Sequence, residues 1–522
     1  MPCPYTPDGN LHPSPLSRGL HLAVLPNGMK VIIKEDHRVP VAVCNVWVKV
    51  GSNREPQKLR GWSHGIEHML FKGTARRDEG DFAREVACAG GTTNAGTGYE
   101  TTNYHITVPA AQLPVAVDIL ADALFHSSFE PGSLDAERQV LVHENHMYDD
   151  IPFGFGVTWR WGLELAFDRS PYANPIGGRD ENLLERDREE ILAFWRSAYR
   201  PDNMTCVLCG DLDPREAFAL VTEKFGGLEN PAAESDPAVS IVPAPLKEEP
   251  HKACRLRLEH GDIQRAYAKL IFRGPGEQDG LSAVLSVVRR VLNDGRSCRL
   301  HRVVREQLKL VDDHTVMTET GPREGIIIID LETDAARLAA ALHAVGKILN
   351  DLGREGATTE EMERARVRVR RAWLMGEETV QGQASTLGHN DAMGDLESSF
   401  DFPDQVDAVD NMALKAFCRR YFRRNELTCV IYLPEGTDPT RHGIPASAVE
   451  LERFLDGTLP TGEGNAPITV AARRAVSGRD ARGGGADQPF EVHQLSGGTE
   501  VCLRRDTTLP LVAMDLSVIG GA

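Results

Sequence analysis

Two imidazoles and a carboxylate fall within five residues, at His64, Glu67 and His68, inside the run Ser63-His64-Gly65-Ile66-Glu67-His68-Met69-Leu70-Phe71-Lys72-Gly73. At about 100° per residue, a helix brings His64, Glu67, His68 and Phe71 to one face. Trp62, Ile66, Met69 and Leu70 then form the opposite, apolar face. Histidines at i and i+4 are placed to share one metal ion, and the carboxylate between them is free to move a proton. The order H-x-x-E-H reverses the H-E-x-x-H of zinc peptidases. Ser63 is the expected cap of this helix and Gly73 its expected end.

Zinc in a hydrolase takes three protein ligands and keeps one position for water. His105, His143, His146, Glu137 and Glu144 compete to be the third. Pro131 to Glu144 reads as the start of a helix capped by Ser133, and Glu137 and Glu144, seven apart, share one of its faces. Spacing does not choose among the five, though this helix is the best supplier of carboxylates.

The elements that must hold these residues belong to a long chain. At 522 residues the length calls for more than one core. A net charge of −18, from 58 basic and 76 acidic residues, argues against nucleic acid or an anionic membrane as partner. No apolar run is long enough to span a membrane, and residues 1–19 form a Pro-rich tail without the apolar centre of a secretory signal. The expected compartment is cytoplasmic, or periplasmic or secreted if the natural start lies upstream. The ten cysteines are scattered. Cys206 and Cys209, three apart on an apolar strand, point to opposite faces and cannot bridge.

Patterning predicts strands over 39–50, 102–108, 205–208, 254–258, 266–272, 325–331 and 428–433. Helices are expected over 78–89, 112–125, 159–167, 188–198, 280–292, 297–308, 335–352, 359–374 and 413–421. Gly90 to Gly98 reads as a glycine-rich bend. Asp187, Ala193, Phe194, Arg200, Thr205, Cys206 and Val207 recur as Asp410, Ala416, Phe417, Arg423, Thr428, Cys429 and Val430, all at an offset of 223 (410 − 187). The class is therefore α+β, with two tandem similar units of mostly antiparallel sheet packed with helices around a cleft: 20–228 and 253–435, joined by a linker at 229–252. Leu25, Gly28, Val31, Asp36, Pro40, Val48 and Gly51 also recur as Leu495, Gly498, Val501, Asp506, Pro510, Val518 and Gly521, at an offset of 470 (495 − 25). Residues 436–488 then read as a flexible linker and 489–522 as the start of a further repeat in a longer protein.

Residues Leu20 to Leu433 resemble the insulinase/pitrilysin family of zinc peptidases, including its mitochondrial-processing-peptidase branch. The stretches that carry the resemblance are Gly61 to Thr74, Gly90-Gly-Thr-Thr-Asn94-Ala95, Glu137 to Glu144, Pro171 to Gly177, Tyr199 to Met204, Ser297 to Leu300 and Arg305-Glu306. The resemblance implies zinc, one ion per catalytic domain, bound by His64, His68 and Glu144. It implies Glu67 as the general base that takes a proton from the zinc-bound water, and Glu137 as a supporting carboxylate. Asn94-Ala95-Gly96 would be an edge strand on which a peptide or unfolded protein segment lies, and Arg305 a further substrate contact. One departure stands out: Asp312 lies seven residues after Arg305, where the family carries Tyr. The implied activity is zinc endopeptidase; the alternative is a non-catalytic scaffold or processing subunit. A further repeat of the family or a second copy of the chain is the other expected partner.

Overall fold

The computed structural model describes residues 4–230, 236–243, 247–460, 468, 491–494, 500–503 and 512–516. Among these, one sheet takes β1 (His12–Pro13), β2 (Leu20–Val24), β3 (Lys30–Glu35), β4 (Val41–Val48), β5 (Thr92–Thr97), β6 (Thr102–Pro109) and β7 (Met204–Gly210), in the order β1-β2-β3-β7-β4-β6-β5. A second takes β8 (Arg255–Gly261), β9 (Ala266–Pro275), β10 (Asp313–Thr320), β11 (Glu324–Thr333) and β12 (Thr428–Pro434), in the order β10-β11-β9-β12-β8. Without β1 and β2 the two orders are the same. Each sheet holds one parallel pair at the matching place, β3 with β7 and β8 with β12. The fold is thus α+β, built from two like units. Helices Arg188–Ala198 and Asn411–Tyr421, at the 223-residue offset, precede β7 and β12.

Each sheet buries one face under helices of its own unit and the other under a helix from the opposite unit. Helix Val380–Met393 lies across β4 and β7, where Val380, Ala384 and Leu387 pack with Val43, Trp47 and Cys209. In return, α5 (Val157–Ala166) lies on β8, β9 and β12 and packs Trp159, Leu163 and Ala166 on Ile271, Ile326 and Ile328. Cys206 faces the first unit's own core while Cys209 faces this shared layer, and both thiols are free.

The exchanged helix Val380–Met393 and its successor Ser398–Ala408 were not among the expected elements. Their composition explains it. Val380–Met393 meets its sheet with Val380, Ala384 and Leu387 as its buried apolar contacts, and a Cβ at Gly388 would sit 2.1 Å from Trp47 Nε1, so glycine is what allows the approach. A helix with so few apolar contacts among Gly, Gln, Asn and Ser lacks the broad apolar stripe that marks helices in sequence. β10, also missed, is an outer strand of mostly half-buried residues. Residues 1–19 are bound down where described: Tyr5 is buried, its hydroxyl donates to Asp391 Oδ1 at 2.8 Å, and β1 pairs with β2.

Within 489–522, β13 (Glu491–Gln494) and β14 (Glu500–Leu503) pair antiparallel, Gln494 facing Glu500. That register is the one in which Val24 faces Lys30 in β2 and β3, shifted by 470 residues (494 − 24 and 500 − 30). The matching positions 495, 498, 506, 510, 518 and 521 lie outside the described residues.

Candidate metal centre

The H-x-x-E-H run forms α1 (Trp62–Met69), whose Trp62, Ile66 and Met69, with Leu70 just beyond it, are fully buried against the first core. Its start differs from expectation. Gly61 is the N-cap at φ +93°, and a Cβ there would sit 2.5 Å from Gly177 O. The capping acceptor is Glu55, whose Oε2 takes the Gly61 N–H at 2.8 Å and whose Oε1 takes that of Ser63 at 2.6 Å. Ser63 Oγ is buried with no hydrogen-bond partner among the described residues. Glu55 reaches the helix across the short turn Gln57–Leu59, a route no local capping rule anticipates. Burial pushes its carboxyl up to about 8, against the pull of the two N–H donors. Glu55→Ala should cost about 0.5–2 kcal/mol, read from the urea unfolding midpoint. The helix also closes early: Leu70 N–H ends it on Ile66 O, and Gly73, at φ +137°, lies beyond.

A second helix, α2 (Asp81–Cys88), leads into β5, and α3 (Leu113–His126) covers β4 and β6. Next, α4 (Pro131–Asp149) packs across α1. Its cap is Glu130 rather than Ser133, and the Glu130 carboxylate accepts the N–H groups of Gly132 and Ser133.

Crossing α1 over α4 brings three ligand atoms together. His64 Nε2 and His68 Nε2 are 3.2 Å apart, and each lies 3.8 Å from Glu144 Oε2. A point equidistant from these corners lies about 2.1 Å from each, the length of a zinc–nitrogen or zinc–carboxylate bond. Among the described residues this is the one group of three or more His, Cys, Asp and Glu side chains so disposed. Of the other candidates, His105 Nε2 meets the Gln381 amide at 2.8 Å, His146 pairs with Asp180 at 2.8 Å, and His143 is exposed.

The surroundings prepare the imidazoles to ligate. A carboxylate only accepts, so His68 Nδ1–H donates to Glu137 Oε1 at 2.7 Å, which leaves Nε2 with its lone pair toward Glu144. Lys72 Nζ holds the other Glu137 oxygen at 2.8 Å. These partners, His68 foremost, hold the Glu137 carboxyl down to about 2, and Glu137 in turn raises His68. Burial, then the neighbouring His68, pushes His64 down to about 4 and keeps it neutral. Glu67 stands aside from the three ligands. Its Oε2 accepts from Thr97 Oγ1 at 2.6 Å, and burial raises its carboxyl while Thr97 pulls it back. Thr97 ends β5 and carries no sequence signal beyond its place near Asn94.

Asn94 and Ala95 sit on β5, which pairs with β6 on one side and is the outer strand on the other. The expected glycine-rich bend is therefore mostly strand. Asn94 Oδ1 accepts the N–H of Ala95 at 2.9 Å. A cavity of about 510 Å³ opens beside the ligands, bounded by His64, Glu67, Gly96, Thr97 and Glu144 and lined wholly by the first unit. Arg305 is not in its lining. It lies on helix Leu300–Gln307 and pairs with Asp313 at 3.6 Å. Asp312 is held by Arg265 and, at 2.7 Å, by Arg337, so its charge is spent within the second unit.

A helix pair presenting two imidazoles, a carboxylate and a spare acid, on one of two like α+β units, forms a candidate metal site. Residues 30–153 match the model of the insulinase family (peptidase family M16), and residues 187–368 that of the peptidase M16 inactive domain. The chain belongs to this insulinase/pitrilysin family. An uncharacterised zinc protease of Mycobacterium leprae is 28% identical over 376 residues, covering 72% of this chain and 83% of that protein. The β subunit of a mitochondrial-processing peptidase from Lentinula edodes is 31% identical over 207 residues, 40% of this chain and 44% of that one. In fold, the crystal structure of a protease from Helicobacter pylori superposes with a TM-score of 0.74 at 21% identity, over 80% of this chain and 99% of that chain.

Proposed function

We propose that the chain is a zinc endopeptidase acting on peptides or unfolded protein segments, with one zinc site in unit 20–228 and unit 253–435 as its non-metal counterpart. The observation that carries this reading is the triangle of His64, His68 and Glu144 with a fourth acid, Glu67, beside it and bound by Thr97. Zinc relatives such as the M. leprae protein support the choice of metal. When bound, zinc supplies an activated water and polarises the scissile carbonyl. Glu67 takes the proton from the attacking water and delivers it to the leaving amine; burial, which raises its carboxyl, suits it to both transfers. Glu137 fixes the ring and tautomer of His68. Substrate backbone lies along the free edge of β5, where it displaces the Asn94 side chain from the Ala95 N–H.

Cleavage of a peptide pool by the full chain, before and after chelation and zinc re-addition, tests the reading. Activity should vanish with the metal and return with it. One bound zinc without any cleavage would leave the scaffold alternative in its place. His64→Ala should abolish stoichiometric zinc, and unchanged zinc content would remove the ligand assignment. Glu137→Gln should weaken zinc binding about 10–100-fold in a competition titration, because His68 loses its anionic partner.

A further inference from the structure

The two carboxylate oxygens of Glu67 have different surroundings. Oε2 accepts the hydroxyl of Thr97 at 2.6 Å. Oε1 accepts no hydrogen bond among the described residues, and Glu67 bounds the cavity beside the ligands. A carboxylate only accepts, so the single proton of the Thr97 hydroxyl is committed to Oε2.

Behind Thr97 stands a layer of buried hydroxyls. Thr97 Oγ1 lies 3.4 Å from Oγ1 of Thr102, its partner across the β5–β6 ladder. Thr102 is fully buried and donates to Val50 O at 3.0 Å, so it leaves the Thr97 proton to Glu67. Tyr199 adjoins Thr102, and its hydroxyl shares a 2.6 Å hydrogen bond with that of Tyr104, both rings being buried. Burial, before any other cause, pushes both phenols up, so neither sets a negative charge against Glu67.

The place of Thr97 is also fixed. It is the last residue of β5, and the turn that follows is held from outside the hairpin. Ser52 N–H donates to Gly98 O at 3.2 Å and Asn53 N–H to Tyr99 O at 2.9 Å. A β-branched side chain has few rotamers, so the backbone aims this hydroxyl. Glu67 is the opposite case: a long side chain on α1 that must lose rotamer freedom before it can act.

We infer that Thr97 is a positioning residue for Glu67: its hydroxyl holds Oε2 and leaves Oε1 as the oxygen that takes and returns the proton. The inference rests on the peptidase reading for the reaction itself. One proton passes from the attacking water to Oε1 as the new C–O bond forms and the carbonyl electron pair moves onto its oxygen. That proton then passes from Oε1 to the amine nitrogen as the pair returns and the C–N bond breaks. The second proton of the water stays on the product carboxyl group, and the Thr97 proton stays on Oγ1 throughout.

Thr97→Val keeps the β-branch and removes the hydroxyl, whereas Thr97→Ser keeps the hydroxyl. In the zinc-loaded full chain, Thr97→Val should lower kcat about 10–100-fold, the effect of one hydrogen bond to a charged group. KM should stay within about twofold and zinc content should not change, because neither substrate nor metal is held by Thr97. Thr97→Ser should bring kcat back to within about threefold of wild type, since it restores the donor. Urea midpoints read the same bond without catalysis. Thr97→Val should lower the midpoint when Glu67 is present, by stranding its carboxylate, and should not lower it in Glu67→Ala. Unchanged kcat in Thr97→Val would overturn the inference and leave the peptidase reading in place. So would a loss that Thr97→Ser does not restore, or an equal fall in midpoint with and without Glu67. Coupled midpoints in a chain that cleaves no peptide would sink the peptidase reading and still support Thr97 as the group that holds Glu67.

Discussion

Glu67→Gln should lower peptide cleavage by about 10²–10⁴-fold while bound zinc stays at the wild-type level. The amide keeps the shape of the side chain and still accepts from Thr97 Oγ1, so α1 and the three ligands keep their places. What disappears is the ability to take a proton. Zinc content by elemental analysis and kcat/KM on one peptide, measured side by side, check the result. Loss of zinc together with activity would mean that Glu67 helps hold the metal, and the division of roles among the four residues would have to be redrawn. Activity within tenfold of wild type would remove Glu67 as the base.

The second large effect is on stability and sits beneath the cavity wall. Lys269 on β9 and Asp330 on β11 face each other across the sheet, with side chains 1% and 2% exposed and Nζ 2.6 Å from Oδ2. Burial draws both groups toward their neutral forms, lowering Lys269 and raising Asp330, and each opposes this in the other. Lys269→Met leaves the carboxylate buried without its cation and removes the bond to Gly154 O. The expected cost is about 3–5 kcal/mol. The double change Lys269→Met with Asp330→Leu should recover most of it, because two apolar groups of similar size leave no stranded charge. Urea midpoints of wild type, single and double variants provide the comparison, and a single variant within about 1 kcal/mol of wild type would contradict the account.

The candidate metal cluster was legible because its parts are periodic. His64, Glu67 and His68 follow the turn of one helix, and Glu137 and Glu144 follow that of another; only the crossing of α1 over α4 lay outside what spacing tells. Residue patterns do not report such crossings, so His105, His143 and His146 stayed open until motif resemblance favoured Glu144. The repeat likewise foretold two like sheets. The failures share a cause. Glu55 and Thr97 act through long-range contacts on backbone or carboxylate, with no spacing rule behind them. Helix Val380–Met393 is shaped by the sheet it lies on rather than by its own stripe. Arg305, a matching motif position, pairs with Asp313 and stands outside the lining of the cavity beside the ligands.

The exchange of α5 and helix Val380–Met393 bears on what keeps the protein whole. Each unit lends the other a buried layer, so the covalent connection at 229–252 is not what binds them. A chain nicked there should travel as a single species through gel filtration and come apart only in denaturant. Produced as separate polypeptides, the two pieces should each be poorly soluble, with an uncovered sheet face, and should become soluble when made together. The protein is in that sense already a pair of partners joined within one chain.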